Sequence, residues 1–315
     1  MSSGLWQRVW FGVIVVLAVS VCWSLDATAQ GKKAKSEGKA AAKRPANDQV
    51  PELSPEDVTK IETAIPTKAA ATPKQPRRVL VFWRCEGFFH GQGIAGGNQA
   101  IASMGNATGA YTTDVARDYE VFAPGNLAKY DAVVLNNTTG LKLSAEQQQA
   151  LLDFVNSGKG LVGVHAATDN FYGWPEGASM VGGLFSGHPW GGGGTWAFKI
   201  DEPDHTLTRA FGGKGFKLRD EIYQFKDPYT RNDRRVLLSL DLSDKDTGDV
   251  AESKGGREDK DYAVAWIKTV GKGRVFYCSL GHAQNVFQDA AVNRFYLDGI
   301  QFAIGDLAAD ATPKK

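Results

Sequence analysis

Cysteine is scarce in this sequence: three residues in 315, at positions 22, 85 and 278. No two form a Cys-x-x-Cys pair, which excludes a disulfide-framed small domain and a structural zinc knuckle. An excess of one charge is missing as well. Thirty-six Lys and Arg stand against 35 Asp and Glu, a net of +1, so no broad basic surface for nucleic acid is expected. No Gly-Lys-Ser/Thr follows a glycine run, so a P-loop is absent, and no nucleotide cofactor is expected. Histidine occurs only at 90, 165, 188, 205 and 282, and never as His-Glu-x-x-His. The apolar run Val9–Val21 would reach about 20 Å as a helix, short of a hydrocarbon core of about 30 Å.

That run does suit an address. Arg8 precedes it, and the small-x-small triplet Ala27-Thr28-Ala29 follows. This order predicts a signal peptide over residues 1–29 and an exported protein, periplasmic or secreted, with no stable membrane span after cleavage. An uncleaved amino-terminal anchor is the alternative. Residues 30–76 are rich in Lys, Ala, Pro, Glu and Ser and poor in apolar groups, the composition of a mostly disordered tether. One short helix is expected within it over Ser54–Thr63, with Ser54 as its cap. The folded domain is expected over residues 77–306, with a disordered tail over 307–315.

Within the domain, Val79–Trp83, Ala132–Asn136 and Leu161–His165 are apolar runs without alternation, the pattern of strands buried on both faces. Val236–Leu240 and Arg274–Leu280 add two more strands, and Asp220–Phe225 alternates in a strand-like way. Ser144 and Gln147 form a capping box before a helix over Ala145–Asn156, and a last helix runs over Ala290–Ile304. Strand, helix, strand at this spacing predicts an α/β fold, a three-layer sandwich with a mostly parallel central sheet. Ligands of such sheets bind beyond the carboxyl ends of the strands.

The residues after each strand are therefore the functional candidates. His90 lies in the loop after the first strand, His165 ends the third, and His282 follows the last, while His188 sits beside the glycine run 191–194. Imidazoles gathered on one rim need a metal, an acid or a substrate to engage. His90, His165, His188 and His282 are thus candidate ligands of a divalent metal such as zinc, and His165, Asp169 and Glu221 are candidates for acid/base work. The readings against them are histidines that satisfy strand-end backbone, an ion pair of Glu221 with Arg219, and a capping role for Asp169. Glu86, Phe88, Asn137, Tyr172, Trp190 and Tyr223 are candidate substrate contacts, because aromatic faces suit sugar rings and polar neighbours take the hydroxyls. Cys85 follows a strand and reads either as a nucleophile or, with better reason, as a buried thiol. A Cys85–Cys278 disulfide stays open.

Gly160-Leu-Val-Gly-Val-His-Ala-Ala-Thr-Asp169, Gly183-Leu-Phe-Ser-Gly-His-Pro189, Asp220-Glu-Ile-Tyr223, Gly271-Lys-Gly-Arg-Val-Phe-Tyr277 and Leu280-Gly-His282 together resemble the ThuA-like, or trehalose utilisation, domain. The resemblance spans about residues 77–306 and implies the flavodoxin-like fold of class I glutamine amidotransferases. It also implies a link to disaccharide use, to oxidised (keto) sugars as substrates, and to work alongside a sugar dehydrogenase. Amidotransferases of this fold carry a Cys at a strand-to-helix elbow; here that place holds His165. Ala283-Gln284 follows His282 where the triad would need Pro-Glu, so amidotransfer is rejected. The function expected is an exported carbohydrate-processing hydrolase or isomerase. A non-catalytic carbohydrate-binding module and a Cys85-dependent hydrolase are the alternatives.

Overall fold

Apolar runs without alternation become strands covered on both faces. In the computed structural model, which describes residues 49–314, Arg78–Phe82 forms β1 and every residue after Arg78 is buried. In chain order, α1 spans Pro55–Thr63, β1 Arg78–Phe82, α2 Gly91–Thr108, β2 Thr112–Ala116, α3 Pro124–Leu127, β3 Ala132–Asn136 and α4 Ala145–Asn156. Next come β4 Gly160–Val164, α5 Pro175–Val181, β5 Leu184–Trp190, β6 Thr195–Ile200, β7 Phe216–Arg219, β8 Ile222–Lys226 and β9 Arg235–Leu240. The chain then forms α6 Lys245–Lys254, β10 Ala263–Val270, β11 Gly273–Cys278 and α7 Ala290–Ala303. Among these residues no helix is long and apolar enough to cross a membrane.

Nine strands make one sheet in the order β2-β1-β3-β4-β11-β10-β9-β6-β7. From β2 to β11 every pairing is parallel. Beyond β11 the sheet continues antiparallel through β10, β9, β6 and β7. Strands β5 and β8 form a separate two-stranded ribbon. Alternate residues of β1 serve two cores. Val79 and Val81 pack with α1, α2 and α7, whereas Leu80 and Phe82 pack with α3, α4 and α5. The result is the expected three-layer α/β sandwich.

The long helix α2 carries no clear signal in the sequence. It holds four buried glycines, each of which lowers helix propensity. Close packing requires two of them. A Cβ at Gly93 would come 2.4 Å from the Gly281 carbonyl oxygen, and one at Gly97 would come 2.6 Å from Asn136 Oδ1. Small residues thus let the start of α2 press against the ends of β3 and β11.

The segments on either side of the domain depart from expectation. The signal peptide expected over 1–29 and residues 30–48 of the expected tether lie outside the described residues. Residues 49–76, expected to be disordered, dock on the sandwich. Ser54 caps α1 as expected, accepting a hydrogen bond from the Asp57 amide. Ile61 is fully buried against α2 and α7. Gln301 Oε1 accepts from the amides of Ala70 and Ala71, and Arg77 binds both Asp131 and Asp306. Composition misled here because one buried isoleucine face and a few backbone bonds suffice when the partner surface is already folded. In the tail over 307–315, the Asp310 carboxylate pairs with Arg235, and Lys314 pairs with Glu202.

A candidate metal centre at the strand ends

His90, His165 and His282 meet at the carboxyl ends of β1, β4 and β11. Their ring centroids form a near-equilateral triangle with sides of 4.9, 5.1 and 5.2 Å. Glu221, between β7 and β8, completes the group. One donor atom from each of the four residues lies within 4.8 Å of the others.

Each side chain is placed by local backbone. His90 is the residue before α2 and is buried, with Nε2 3.3 Å from the Tyr223 hydroxyl. His165 sits at φ 45 in the turn that leaves β4, a left-handed conformation uncommon outside glycine. The Tyr277 hydroxyl pins this elbow by donating to the His165 carbonyl at 2.7 Å. An imidazole therefore stands at the elbow that leaves β4. His282 follows Gly281, whose φ of 140 turns the chain back into the site. Buried Asp220 accepts from the amides of Gly281 at 2.7 Å and His282 at 3.1 Å, which anchors that loop.

The charge state of the group follows from burial. Burial pushes His90 down to about 2, with the neighbouring histidines adding to it, so its imidazole is neutral. Burial also lowers His165, against the pull of Glu221. Burial lowers His282 too, but hydrogen bonding and charge from Glu221 outweigh it and leave this group raised. Burial would raise Glu221, yet the facing His165 and His282 rings hold its carboxylate well below the usual range. Two neutral imidazoles, a third beside a carboxylate and one ionised oxygen form a nitrogen and oxygen donor set that suits zinc or a similar divalent ion. His90 Nδ1 is buried with no hydrogen-bond partner, as a nitrogen reserved for a cation would be. The residues present could therefore hold a metal ion.

Other expected residues fall in different places. His188 is not in the four-donor group: it is half-exposed and meets Glu221 Oε2 from outside at 3.0 Å. Glu221, expected as a base, is placed as a donor of the group. Tyr223 lines its floor, with its ring centroid 4.3 Å from that of His165. Phe88 is exposed, edge-on to His90 at 4.8 Å. Tyr172 is exposed and donates to Asp169 Oδ1 at 2.6 Å, so Asp169 lies at the rim, outside the donor group. Burial raises the Asp169 carboxyl.

Two expected substrate contacts are corrected, and a third is engaged by neighbouring side chains. Trp190 is fully buried; its indole donates to the Thr247 carbonyl and packs on Tyr262. Asn137 is fully buried and donates to the Gly281 carbonyl at 3.1 Å, so it braces the His282 loop. The Glu86 carboxylate is taken by Arg84 at 2.6 Å and by the Tyr119 hydroxyl. His205 serves structure alone, bound to the Asp310 carbonyl and the Leu207 amide. Cys85 and Cys278 are free thiols, which removes the disulfide. Burial raises the Cys85 thiol, and Sγ donates to the Asn137 carbonyl at 3.2 Å, the opposite of an activated thiolate. Sequence reasoning missed the support that the Ser279 carbonyl gives the His165 ring and the Tyr277 hydroxyl gives its turn, because a backbone oxygen leaves no signal and the motif that ends at Tyr277 does not state what its hydroxyl meets.

No curated protein matches the chain. Solved structures that resemble it include two ThuA-like proteins. A ThuA-like protein of Bacteroides uniformis ATCC 8492 aligns at 20% identity and a TM-score of 0.60, covering 74% of this chain and 93% of that one. A ThuA-like protein of Parabacteroides merdae ATCC 43184 aligns at 19% identity and a TM-score of 0.58, covering 76% and 93%. At such identities the likeness shows the fold. Residues 78–303 match the ThuA family, described as trehalose utilisation, and with that match over most of its length the chain belongs to the ThuA family.

Proposed function

We propose that this chain is a carbohydrate-processing enzyme that acts on sugars or oxidised (keto) sugars at a divalent metal held by His90, His165, Glu221 and His282. The observation that carries the reading is the convergence of these four donors, from four separate places in the sequence, on one spot at the strand ends. A structural histidine would turn both ring nitrogens to the fold; His165 gives only Nδ1 to the Ser279 carbonyl, and the three rings face one another and a carboxylate. The bound ion would polarise a sugar carbonyl or hydroxyl.

The residues around the group supply the rest. Phe88 and Tyr172 offer exposed aromatic faces to the C–H face of a sugar ring. Asp169 is the proton carrier of the mouth: its carboxyl is raised by burial, and the Tyr172 hydroxyl holds it in place. Tyr223 and Phe185 pack at 4.3 Å and form an apolar wall beside the donors that limits water. The family's description as trehalose utilisation supports a sugar as substrate, and the amino-terminal address supports export.

The test is metal analysis of chain purified without a His-tag, with turnover measured on a panel of disaccharides and their 3-keto forms. One equivalent of metal, lost together with turnover in His165→Ala and His282→Ala, supports the proposal. Sugar binding without turnover in the metal-loaded parent would make the chain a binding module. Absence of metal and of sugar recognition would remove the reading.

A further inference from the structure

The two oxygens of Glu221 face different partners. Oε1 points into the donor group, 3.4 Å from His282 Nδ1 and 3.6 Å from His165 Nε2. Oε2 points outward to His188 Nδ1 at 3.0 Å. His188 comes from the β5–β8 ribbon, not from the nine-stranded sheet. That ribbon is irregular at this point. Gly187 pairs with Gln224, but the next pairing is Trp190 with Ile222, so His188 and Pro189 together oppose Tyr223. An extra residue of this kind turns a side chain out of the regular alternation. Gly187, at φ 146, supplies the backbone conformation the bulge requires, and a Cβ there would come 3.2 Å from Gln224 Nε2. The redirected His188 ring then stacks on Phe185 at 5.9 Å and 15°, and Phe185 in turn packs on Tyr223. Position and ring orientation are thus both set for one contact, the 3.0 Å approach of Nδ1 to Glu221 Oε2.

We infer that His188 is a positioning residue: it holds Glu221 Oε2 so that only Oε1 is presented to the metal. The inference rests on the metal reading proposed above. Four donors remain without His188, so its removal leaves the site able to bind while freeing the carboxylate to rotate. Partners of this kind that orient a ligand are worth roughly 10–100-fold in metal affinity.

The experiment loads the parent, His188→Ala, His188→Asn and His165→Ala with Co(II). The visible spectrum is recorded, and zinc affinity is measured by competition with a chromophoric chelator. His188→Ala is expected to bind one equivalent with affinity lowered about 10–100-fold and a shifted Co(II) spectrum. His188→Asn, whose amide nitrogen takes the place of Nδ1, restores both. An unchanged spectrum and affinity in His188→Ala overturn the inference and leave the metal site standing. Loss of stoichiometric metal in His188→Ala, as in His165→Ala, makes His188 a ligand and also overturns it. A parent that binds neither ion removes the metal reading itself, and the inference with it.

Discussion

His165 Nδ1 lies 2.7 Å from the carbonyl oxygen of Ser279. A carbonyl only accepts, so Nδ1 carries the proton and Nε2 turns its lone pair toward Glu221 and His282. One backbone contact from the end of β11 thus sets both the tautomer and the orientation of a ring at the end of β4. Such a partner on the far nitrogen is usual for metal-bound histidine.

A site prepared in this way should convert metal binding into stability. With zinc at about 100 times its dissociation constant, the parent should gain about 2.7 kcal/mol, and chelator should reverse the gain. His282→Ala should show no gain. Thermal melts with chelator and with added zinc check this, and identical melting temperatures in the parent would refute it.

Asp220 is buried and accepts from two backbone amides of the His282 loop. Asp220→Ala strands both donors, at a cost of about 2–4 kcal/mol. It should also weaken zinc binding, because His282 loses its anchor. Urea unfolding and chelator competition measure the two effects; a loss of stability without any change in affinity would confine Asp220 to the fold.

Asp298 of α7 is buried with Arg294 Nε at 2.8 Å, yet its Oδ1 lacks an aligned donor. Burial pushes its carboxyl from 3.8 up to about 6, against the Arg294 charge. The folded state then holds this proton more tightly than the unfolded chain does, so the contribution of Asp298 to stability falls as pH rises from about 4 to about 6. Asp298→Asn should remove that slope and recover about 1–3 kcal/mol at pH 7, less a small loss from the Arg294 pair. Urea midpoints of parent and variant at both ends of the window decide it. A slope shared by both chains would assign it elsewhere.

Ile61 tests whether α1 belongs to the domain. Its side chain is fully buried, so Ile61→Ala should cost about 2–4 kcal/mol. A substitution on a tether would cost nothing, and an unchanged denaturation midpoint would return the segment to that status.

Residues whose neighbours in the chain determine their state were legible in the sequence. The runs at β1, β3 and β4 could only be strands covered on both faces, and the Ser144–Gln147 box marked the start of α4 at the observed residue. The histidines were legible as candidates because each lies at or near a strand end. Helix α2 was not legible, because its glycines serve packing against Asn136 and Gly281, which are distant in sequence. Trp190 and Asn137 were misread for the same reason, since residue type states what a side chain can do and not which surface it meets.

By itself, the sequence determined the α/β order, the resemblance to the ThuA family and the set of imidazoles available. Only the tertiary structure decided which of them share a carboxylate. That choice depends on turns such as His165 at φ 45, on the bulge at Gly187 that redirects His188, and on the Ser279 carbonyl. Each joins residues far apart along the chain, and donor geometry within a few ångströms is a property of packing, which local composition does not encode.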